Sequence, residues 1–330
     1  MRITWLFPII LYLFSSFILR SQDIHWSQIN QLQSFQNPSS IGQYDEEIKF
    51  TFAAKDQWRS VTKPYQTYFA SIDTRFRKFE WLSLGCNVFT DVTGDGSFRT
   101  NQFDFISKID KKIIPELSMS MGLDIGLTNK NIDFSNFKFD NQYDGYKFNS
   151  TLSSNESFTN TSFNYPTIGI GLLSNYKIKK NQDLNIGFSI YNIHKPKESF
   201  YQFEVIRPIR NIFNVTYNYK YKNHLINYYV NIEKQSTYHK FIIGALDNIK
   251  ININKIHHLH TGLSIRYLDA FILHFGISYK KSQLIISYDI NTSKLNVASN
   301  GRGSLEINLQ YLLKKQPLSF PINRTCIDYF

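Results

Sequence analysis

The sequence predicts an all-β chain that folds into a transmembrane, antiparallel outer-membrane β-barrel of about 14 strands. The first observation is an alternation of apolar with polar or small residues, nearly unbroken in segments 117–127, 271–279 and 305–312. Since side chains on a strand point alternately to opposite sides, such segments build a sheet with one apolar and one polar face. An N-terminal segment typical of secretion and an uneven distribution of loop lengths are the other two observations. Together they favour a barrel with lipid outside and a polar lumen.

Fourteen segments with this period of two follow one another along the chain, an even number as is usual for bacterial barrels. The predicted strands are 47–53, 65–76, 81–91, 102–109, 116–128, 167–178, 183–193, 211–222, 225–234, 238–249, 257–268, 270–280, 282–290 and 303–314.

The connections between these strands alternate in length. If the N-terminus is periplasmic, the even-numbered connections are short turns, namely 77–80, 110–115, 179–182, 223–224 and 280–282. The odd-numbered set includes nearly all the long loops, namely 54–64, 92–101, 129–166, 194–210 and 291–302. Outer-membrane barrels have short periplasmic turns and long outer loops, whereas a soluble sandwich has no reason to separate them. The longest loop, 129–166, is expected to lie over or inside the barrel mouth.

The two ends of the chain are predicted to lie outside the barrel wall. Residues 1–21 form a short apolar run ending in Arg20 and Ser21, typical of a cleaved signal peptide, with a retained N-terminal anchor as the alternative. Residues 22–46 are rich in Gln, Asn and Ser and are predicted to be a periplasmic arm or a plug. The barrel then occupies 47–314, and 315–330 is predicted to be a C-terminal periplasmic tail.

The composition agrees with a barrel and excludes several other classes. Aromatic residues make up 16% of the chain, with 28 Phe, 21 Tyr and 4 Trp, which suits aromatic girdles at both membrane interfaces. The net charge of +11 falls to +9 without Arg2 and Arg20, and export of the chain argues against nucleic acid as a partner. Two distant cysteines, Cys86 and Cys326, could pair in an oxidising periplasm, but they make neither a disulfide framework nor a metal site.

No motif in the chain predicts catalysis or a cofactor. His257, His258 and His260 form a histidine run, but on a strand only His258 and His260 share a face, and a metal site needs three or four convergent ligands. The segment 91–96 (DVTGDG) resembles half of a calcium loop without its closing acidic residue. No nucleophile elbow, zinc-protease helix or phosphate loop is present. We therefore expect a protein that is not an enzyme and binds no cofactor.

The short turns share a feature that could be functional. They carry pairs of basic residues, and we single out Lys111 with Lys112 and Lys179 with Lys180. With the topology above, these lysines would form a basic crown on the periplasmic rim, able to dock an acidic periplasmic partner in a salt-sensitive way. The alternative is that these lysines only keep the turns soluble.

Several stretches, in order along the mature chain, resemble the PorP/SprF family of outer-membrane proteins of the Bacteroidota type IX secretion system. They are 22–28 (QDIHWSQ), 37–39 (NPS), 56–60 (DQWRS), 64–68 (PYQTY), 91–101 (DVTGDGSFRTN), 187–193 (GFSIYNI) with Lys195 and Pro196, 287–291 (SYDIN) and 300–306 (NGRGSLE). Ile24 stands where the family usually has Pro, and 39–42 (SSIG) replaces an Ala-rich continuation. Both departures lie in the arm and leave the implied fold unaffected.

The resemblance implies a non-enzymatic barrel of the cell outer membrane that serves type IX secretion and, in some lineages, gliding motility. The implied partners are outer-membrane lipid, periplasmic ring components of the secretion machine, and a secreted cargo or adhesin with a C-terminal secretion domain. The motif positions make Trp58, Tyr65, Asn300, Gly301, Arg302 and Gly303 candidate residues for binding a partner or shaping a loop.

Within the last of these motifs, Gly301 and Gly303 are expected to supply unusual backbone angles, and Arg302 to pair with a carboxylate of the lumen. The alternative is a tight loop that only starts the final strand. A different function on the same fold is a passive, porin-like channel for small solutes, which predicts an open lumen. A tethering barrel is instead expected to be filled by the arm, by loop 129–166 or by cargo.

Overall fold

The chain builds a closed β-barrel in a computed structural model. The structure describes residues 24–59, 63–76, 78–94, 98–134, 137–156, 160–200, 205–253, 255–293 and 296–313. Its strands are β1 (Ile48–Gln57), β2 (Tyr65–Arg75), β3 (Leu82–Thr93), β4 (Phe98–Ile114), β5 (Leu117–Asn131), β6 (Ser162–Lys179), β7 (Gln182–Tyr191), β8 (Lys197–Glu198), β9 (Val205–Ile206), β10 (Arg210–Tyr221), β11 (His224–Gln235), β12 (Tyr238–Ile253), β13 (Ile256–Arg266), β14 (Ala270–Tyr279), β15 (Ser282–Asn291) and β16 (Arg302–Leu313).

All strands except β8 and β9 form the barrel wall, in which each strand is antiparallel to its neighbours. The wall closes between β1 and β16, which pair continuously from Ile48 opposite Leu313 to Gln57 opposite Ser304. Closure removes the exposed strand edges that could not be hydrated inside a membrane. The predicted antiparallel barrel of about 14 strands is therefore confirmed, and every predicted strand corresponds to one strand of the wall.

Several strands are longer than the alternation of residues predicted. β4 begins at Phe98 and ends at Ile114, β6 begins at Ser162, and β12 continues to Ile253. Outside the bilayer both faces of a strand meet water, so the hydrogen-bonded ladder continues through polar residues that show no alternation. The predicted loop 194–210 also contains β8 and β9, which pair with each other in a small hairpin.

The two faces of the wall have the predicted chemistry. Leu123 and Ile307 face outward and expose 39% and 41% of their surface, whereas their lumen-facing neighbours Asp124 and Glu306 expose only 4% and 1%. The exposed surface of the wall is made of rows of Phe, Ile, Leu and Tyr, as lipid requires. Among the helices of the described residues, none has the length and apolar character needed to cross a membrane.

The ends of the barrel differ in the way the sequence predicted. One end, called here the short-turn end, carries two-residue turns such as 180–181 and 222–223 and the start of β1. The other, the long-loop end, carries connections such as 132–161 and 192–209. No described residue of 132–161 is buried, so these residues do not pack inside the lumen. The predicted signal peptide 1–21 and tail 315–330 lie outside the described residues, as does Cys326.

Candidate functional site

The N-terminal residues 24–44, called here the plug segment, lie inside the barrel. Trp26, Leu32 and Ile41 are almost fully buried although they belong to no strand of the wall. Trp26 packs edge-on against Phe69 of β2 with 6.3 Å between ring centroids, and Phe35 packs against Phe69 at 6.0 Å. An apolar core inside a polar lumen arises because these aromatic side chains meet lumen-facing aromatic residues of the wall.

Carboxylates of the last two strands hold the beginning of the plug segment. Glu306 accepts hydrogen bonds from the backbone N–H of Ser27 at 2.8 Å and of Gln28 at 3.0 Å. The Ser27 hydroxyl donates to Asp289 Oδ2 at 2.8 Å. Hydrogen bonds to an ionised acceptor are stronger than neutral ones, so Glu306 and Asp289 form a firm polar anchor for the plug segment.

Lysines of the wall bind backbone carbonyls of the plug segment. Lys55 Nζ donates to His25 O at 2.7 Å, and Lys108 Nζ donates to Ile41 O at 2.7 Å. Both lysines are almost completely buried, which is tolerable because each also has a carboxylate partner. Lys55 pairs with Glu306 at 3.2 Å and Lys108 with Asp110 at 2.9 Å.

The middle of the plug segment is a 3₁₀ turn over Pro38–Ser40 that rests on glycines of the wall. Asn37 caps this turn by accepting a hydrogen bond from Ser39 N at 2.9 Å, and its Nδ2 donates to Leu172 O at 3.0 Å. A Cβ added to Gly122 would lie only 2.4 Å from Pro38 C. Glycine at this position is therefore what lets the turn approach the wall.

Further charged pairs line the lumen around the plug segment. Arg266 Nη2 lies 2.8 Å from Asp289 Oδ2, Arg210 Nε lies 2.7 Å from Glu233 Oε1, and Lys240 also pairs with Glu233. Buried charges persist only when paired in this way.

His25, on the plug segment, is surrounded by basic residues of the wall. Burial lowers the pKa of the His25 imidazole well below its usual value, and the positive charges of Lys55, Arg266, Lys240 and Arg210 lower it further.

A cavity lies on either side of the plug segment, towards each end of the barrel. The long-loop vestibule has a volume of about 330 Å³ and is lined by Trp58, Tyr65, Phe98 and Arg207, together with Ile24 of the plug segment. The short-turn vestibule is larger, at about 670 Å³, and Asn and Gln are the commonest residues in its lining. The plug segment therefore separates two compartments of the lumen.

The predicted site residues lie at opposite ends of the barrel. Trp58 and Tyr65 contact each other in the long-loop vestibule, with 4.8 Å between ring centroids, and Trp58 has a positive φ of 62°. The predicted basic residues are exposed at the short-turn end, and they are Lys111, Lys112, Lys179 and Lys180. The structure thus does not join the aromatic pair and the lysines into one site.

The predicted glycine motif forms the end of the last long connection. Asn300 and Gly301 have positive φ values of 50° and 76°. The expectation of an unusual angle at Gly303 is wrong, because Gly303 lies in β16 without a positive φ. Its lack of a side chain serves close packing instead, since a Cβ there would lie 2.5 Å from Asp289 O. Arg302 is exposed, and the guanidinium that pairs with Asp289 belongs to Arg266.

Sequence reasoning missed the residues that hold the plug segment. Lys55, Lys108 and Arg266 occupy lumen-facing positions of predicted or extended strands, where a charged side chain needs a partner. A charged residue on the lumen face indicates that a partner of opposite charge or a polar group is nearby. It does not identify that partner, because the partner is remote in sequence. His258 and His260 face the short-turn vestibule, and no cluster of three or more metal-binding side chains occurs in the described part of the chain.

Several solved barrels are similar to this chain. The Pseudomonas putida toluene transporter TodX is 12% identical, with a TM-score of 0.47 and coverage of 88% of this chain and 94% of its own. A Pseudomonas aeruginosa FadL homologue is 8% identical, with a TM-score of 0.48 and coverage of 84% and 93%. The KdgM porin is 9% identical, with a TM-score of 0.39 and coverage of 80% and 99%. Likenesses at this level carry no argument about function. No curated protein matches the chain.

The family comparison is more informative than these distant barrels. Residues 18–311 match the model of the type IX secretion system membrane protein PorP/SprF, so the match covers nearly the whole chain. A closed barrel with apolar outer rows and membership in this family locate the chain in the outer membrane. The chain belongs to the PorP/SprF family of type IX secretion system membrane proteins.

Proposed function

We propose that this chain is a non-enzymatic accessory barrel of type IX secretion that supports the export or surface tethering of cargo proteins carrying C-terminal secretion domains. In this proposal the short-turn face docks periplasmic components of the machine, while the long-loop face holds cargo or an adhesin outside the cell. The same role extends to gliding motility where the cargo is a motility adhesin. The chain acts by binding proteins and carries out no chemical step.

The observation that carries the proposal is the plug segment inside the lumen. Residues 24–44 are bound to the wall through Glu306 of β16, Ser189 of β7 and Lys108 of β4, which lie on different sides of the barrel. A passive porin needs an aqueous path, and a bound plug segment obstructs it. The plug segment therefore favours protein binding over the alternative of a porin-like channel for small solutes.

The two faces of the barrel supply suitable surfaces for protein partners. On the short-turn rim, Lys111, Lys112, Lys179 and Lys180 expose positive charge that would attract an acidic protein and weaken with salt. At the long-loop end, the Trp58–Tyr65 pair offers aromatic surface of the type enriched at protein interfaces.

The proposal is tested by purifying a tagged copy from mildly solubilised native outer membranes and identifying what accompanies it by mass spectrometry. We expect periplasmic components of the secretion machine, together with a large protein bearing a C-terminal secretion domain. The quadruple variant Lys111→Glu, Lys112→Glu, Lys179→Glu and Lys180→Glu should lose the periplasmic partners and retain the cargo. The matched control changes the same four lysines to Arg, which keeps the charge. A solitary barrel that conducts ions steadily in planar bilayers would instead support the porin-like channel.

A further inference from the structure

The wall of the short-turn vestibule is built from side-chain amides. Asn214 and Asn218 of β10 face the cavity together with Asn227 and Asn231 of β11 and Asn248 of β12. In the ladder between β10 and β11, Asn214 is paired with Asn231, and Asn218 with Asn227. With about 3.3 Å per residue, the four-residue step from Asn214 to Asn218 extends this surface over roughly 13 Å.

These side chains are joined into one hydrogen-bonded chain across neighbouring strands. Asn248 Nδ2 donates to Asn227 Oδ1 at 2.7 Å, and Asn227 Nδ2 donates to Asn218 Oδ1 at 2.7 Å. On the other side of Asn248, its Oδ1 bonds to His260 Nδ1, and His260 Nε2 lies 2.6 Å from Ser278 Oγ. The mutual bonds hold the amides in fixed orientations, so the wall presents an ordered set of donors and acceptors.

The chemistry of the cavity makes cationic and sugar-like ligands a poor match. Its described lining contains no carboxylate, and its lysines, Lys280 and Lys281, lie in the turn at the rim. Tyr229 is the single Phe, Tyr or Trp side chain among the described lining residues, whereas carbohydrate sites use aromatic faces for stacking. An amide carries the same donor and acceptor pair as a peptide group, so the wall matches an uncharged polypeptide.

The plug segment already shows what these walls bind. Gln36 belongs to a stretch of Gln, Asn and Ser residues, and Asn231 Nδ2 donates to its Oε1 at 3.4 Å. Buried polar atoms without a hydrogen-bond partner remain here within the described structure, namely Asn231 Oδ1, Asn214 Oδ1 and Gln36 Nε2.

We propose that the short-turn vestibule binds an extended, uncharged segment of a partner polypeptide, rich in Asn, Gln, Ser and Thr, which enters from the short-turn end. This inference rests on the proposed function, because the segment would belong to a protein handled by the secretion machine. The plug segment forms the floor of the site, and the amide chain on β10, β11 and β12 forms its wall. The short-turn vestibule is thus a recognition site for peptide backbone and side-chain amides.

The test uses photo-crosslinking of the purified full chain in detergent. The probe is a hexapeptide of Asn, Gln, Ser and Thr with blocked ends and a benzophenone group, and mass spectrometry locates the crosslinks. We expect labelling of lumen residues on β10–β13. In the double variant Asn218→Leu, Asn248→Leu the crosslinking yield should fall about tenfold, because two neutral hydrogen bonds disappear. Asn248→Gln should retain labelling. Asn129→Leu, at the long-loop end, is the matched control, and heat-modifiable gel mobility verifies folding.

Three results would overturn the inference. One is labelling outside the short-turn vestibule or indifference to the amide variants. Another is stronger, salt-sensitive labelling by a counterpart peptide containing Asp, which would indicate capture by the rim lysines. The third is competition by a neutral oligosaccharide such as maltohexaose at the same concentration. Co-purification with secretion components is measured separately, so a failure of this inference is distinguishable from a failure of the proposed function.

Discussion

Removal of the Glu306 carboxylate should release the plug segment from the wall. Glu306 is 1% exposed and accepts two backbone hydrogen bonds, from Ser27 and Gln28, while pairing with the buried Lys55. In Glu306→Ala the two N–H groups lose their acceptor, and Lys55 loses its carboxylate partner. Removing one partner of a buried ion pair costs about 3–5 kcal/mol. The detached population should then rise by about a hundred- to several-thousand-fold.

Hydrogen–deuterium exchange with mass spectrometry measures this release directly. Peptides covering residues 24–32 should exchange faster in Glu306→Ala by the factor above, whereas peptides from the strands should keep their protection. Glu306→Gln retains an oxygen acceptor, so a smaller acceleration of about tenfold is expected. Glu198→Ala is the control, because Glu198 pairs with Lys130 and Arg207 at the barrel mouth, away from Ser27. Unchanged exchange of 24–32 in Glu306→Ala would refute the anchoring argument.

Three further predictions concern the wall, the glycine contact and pH. Leu123→Arg or Ile307→Arg should destabilise the barrel by about 2–4 kcal/mol in urea unfolding from lipid vesicles, and values near zero at both positions would contradict the assigned lipid face. Gly122→Val should displace the plug segment from the wall, because the added Cβ would lie 2.4 Å from Pro38 C. In planar bilayers the variant should therefore conduct ions better than the unmodified chain. The lowered pKa of His25 means that the detached plug segment takes up a proton more readily than the docked one. Docking should therefore be complete above about pH 6.5, the ordinary histidine pKa, and weaken as pH falls below it. Exchange of 24–32 measured from pH 8 to 5 checks this, and His25→Asn should remove the dependence.

The strands of the wall could be predicted because their signal is local. Leu123 and Asp124 are adjacent in sequence and face lipid and lumen respectively, and the polarity of each side chain predicts its face. Loop lengths likewise follow from where the alternation stops. The strand ends were less predictable, as β4 and β6 show, because the ladder continues into water where either face can be polar.

The plug segment shows what a local signal cannot convey. Its Gln, Asn and Ser residues suit an exposed arm as well as a buried plug segment, because water and a polar lumen satisfy the same groups. The exposed lysines at the short-turn end could be predicted from the composition of the turns. The hydrogen bond from Lys108 to Ile41 O could not be predicted, because the two residues are distant in sequence. The amide chain of the short-turn vestibule could not be predicted either. Asn218, Asn227 and Asn248 lie on three different strands, and only the register of those strands brings them together.

The sequence by itself determined the class of fold, the number of strands, the face that each strand turns to lipid and the end that carries the long loops. Each of these follows from the period of two and from turn residues, which act between near neighbours in the chain. Tertiary structure alone decided that residues 24–44 lie in the lumen, that Glu306 and Asp289 hold them, and that two vestibules remain. Those contacts join residues such as Ser27 and Glu306, 279 positions apart, and form only when the barrel closes around the plug segment.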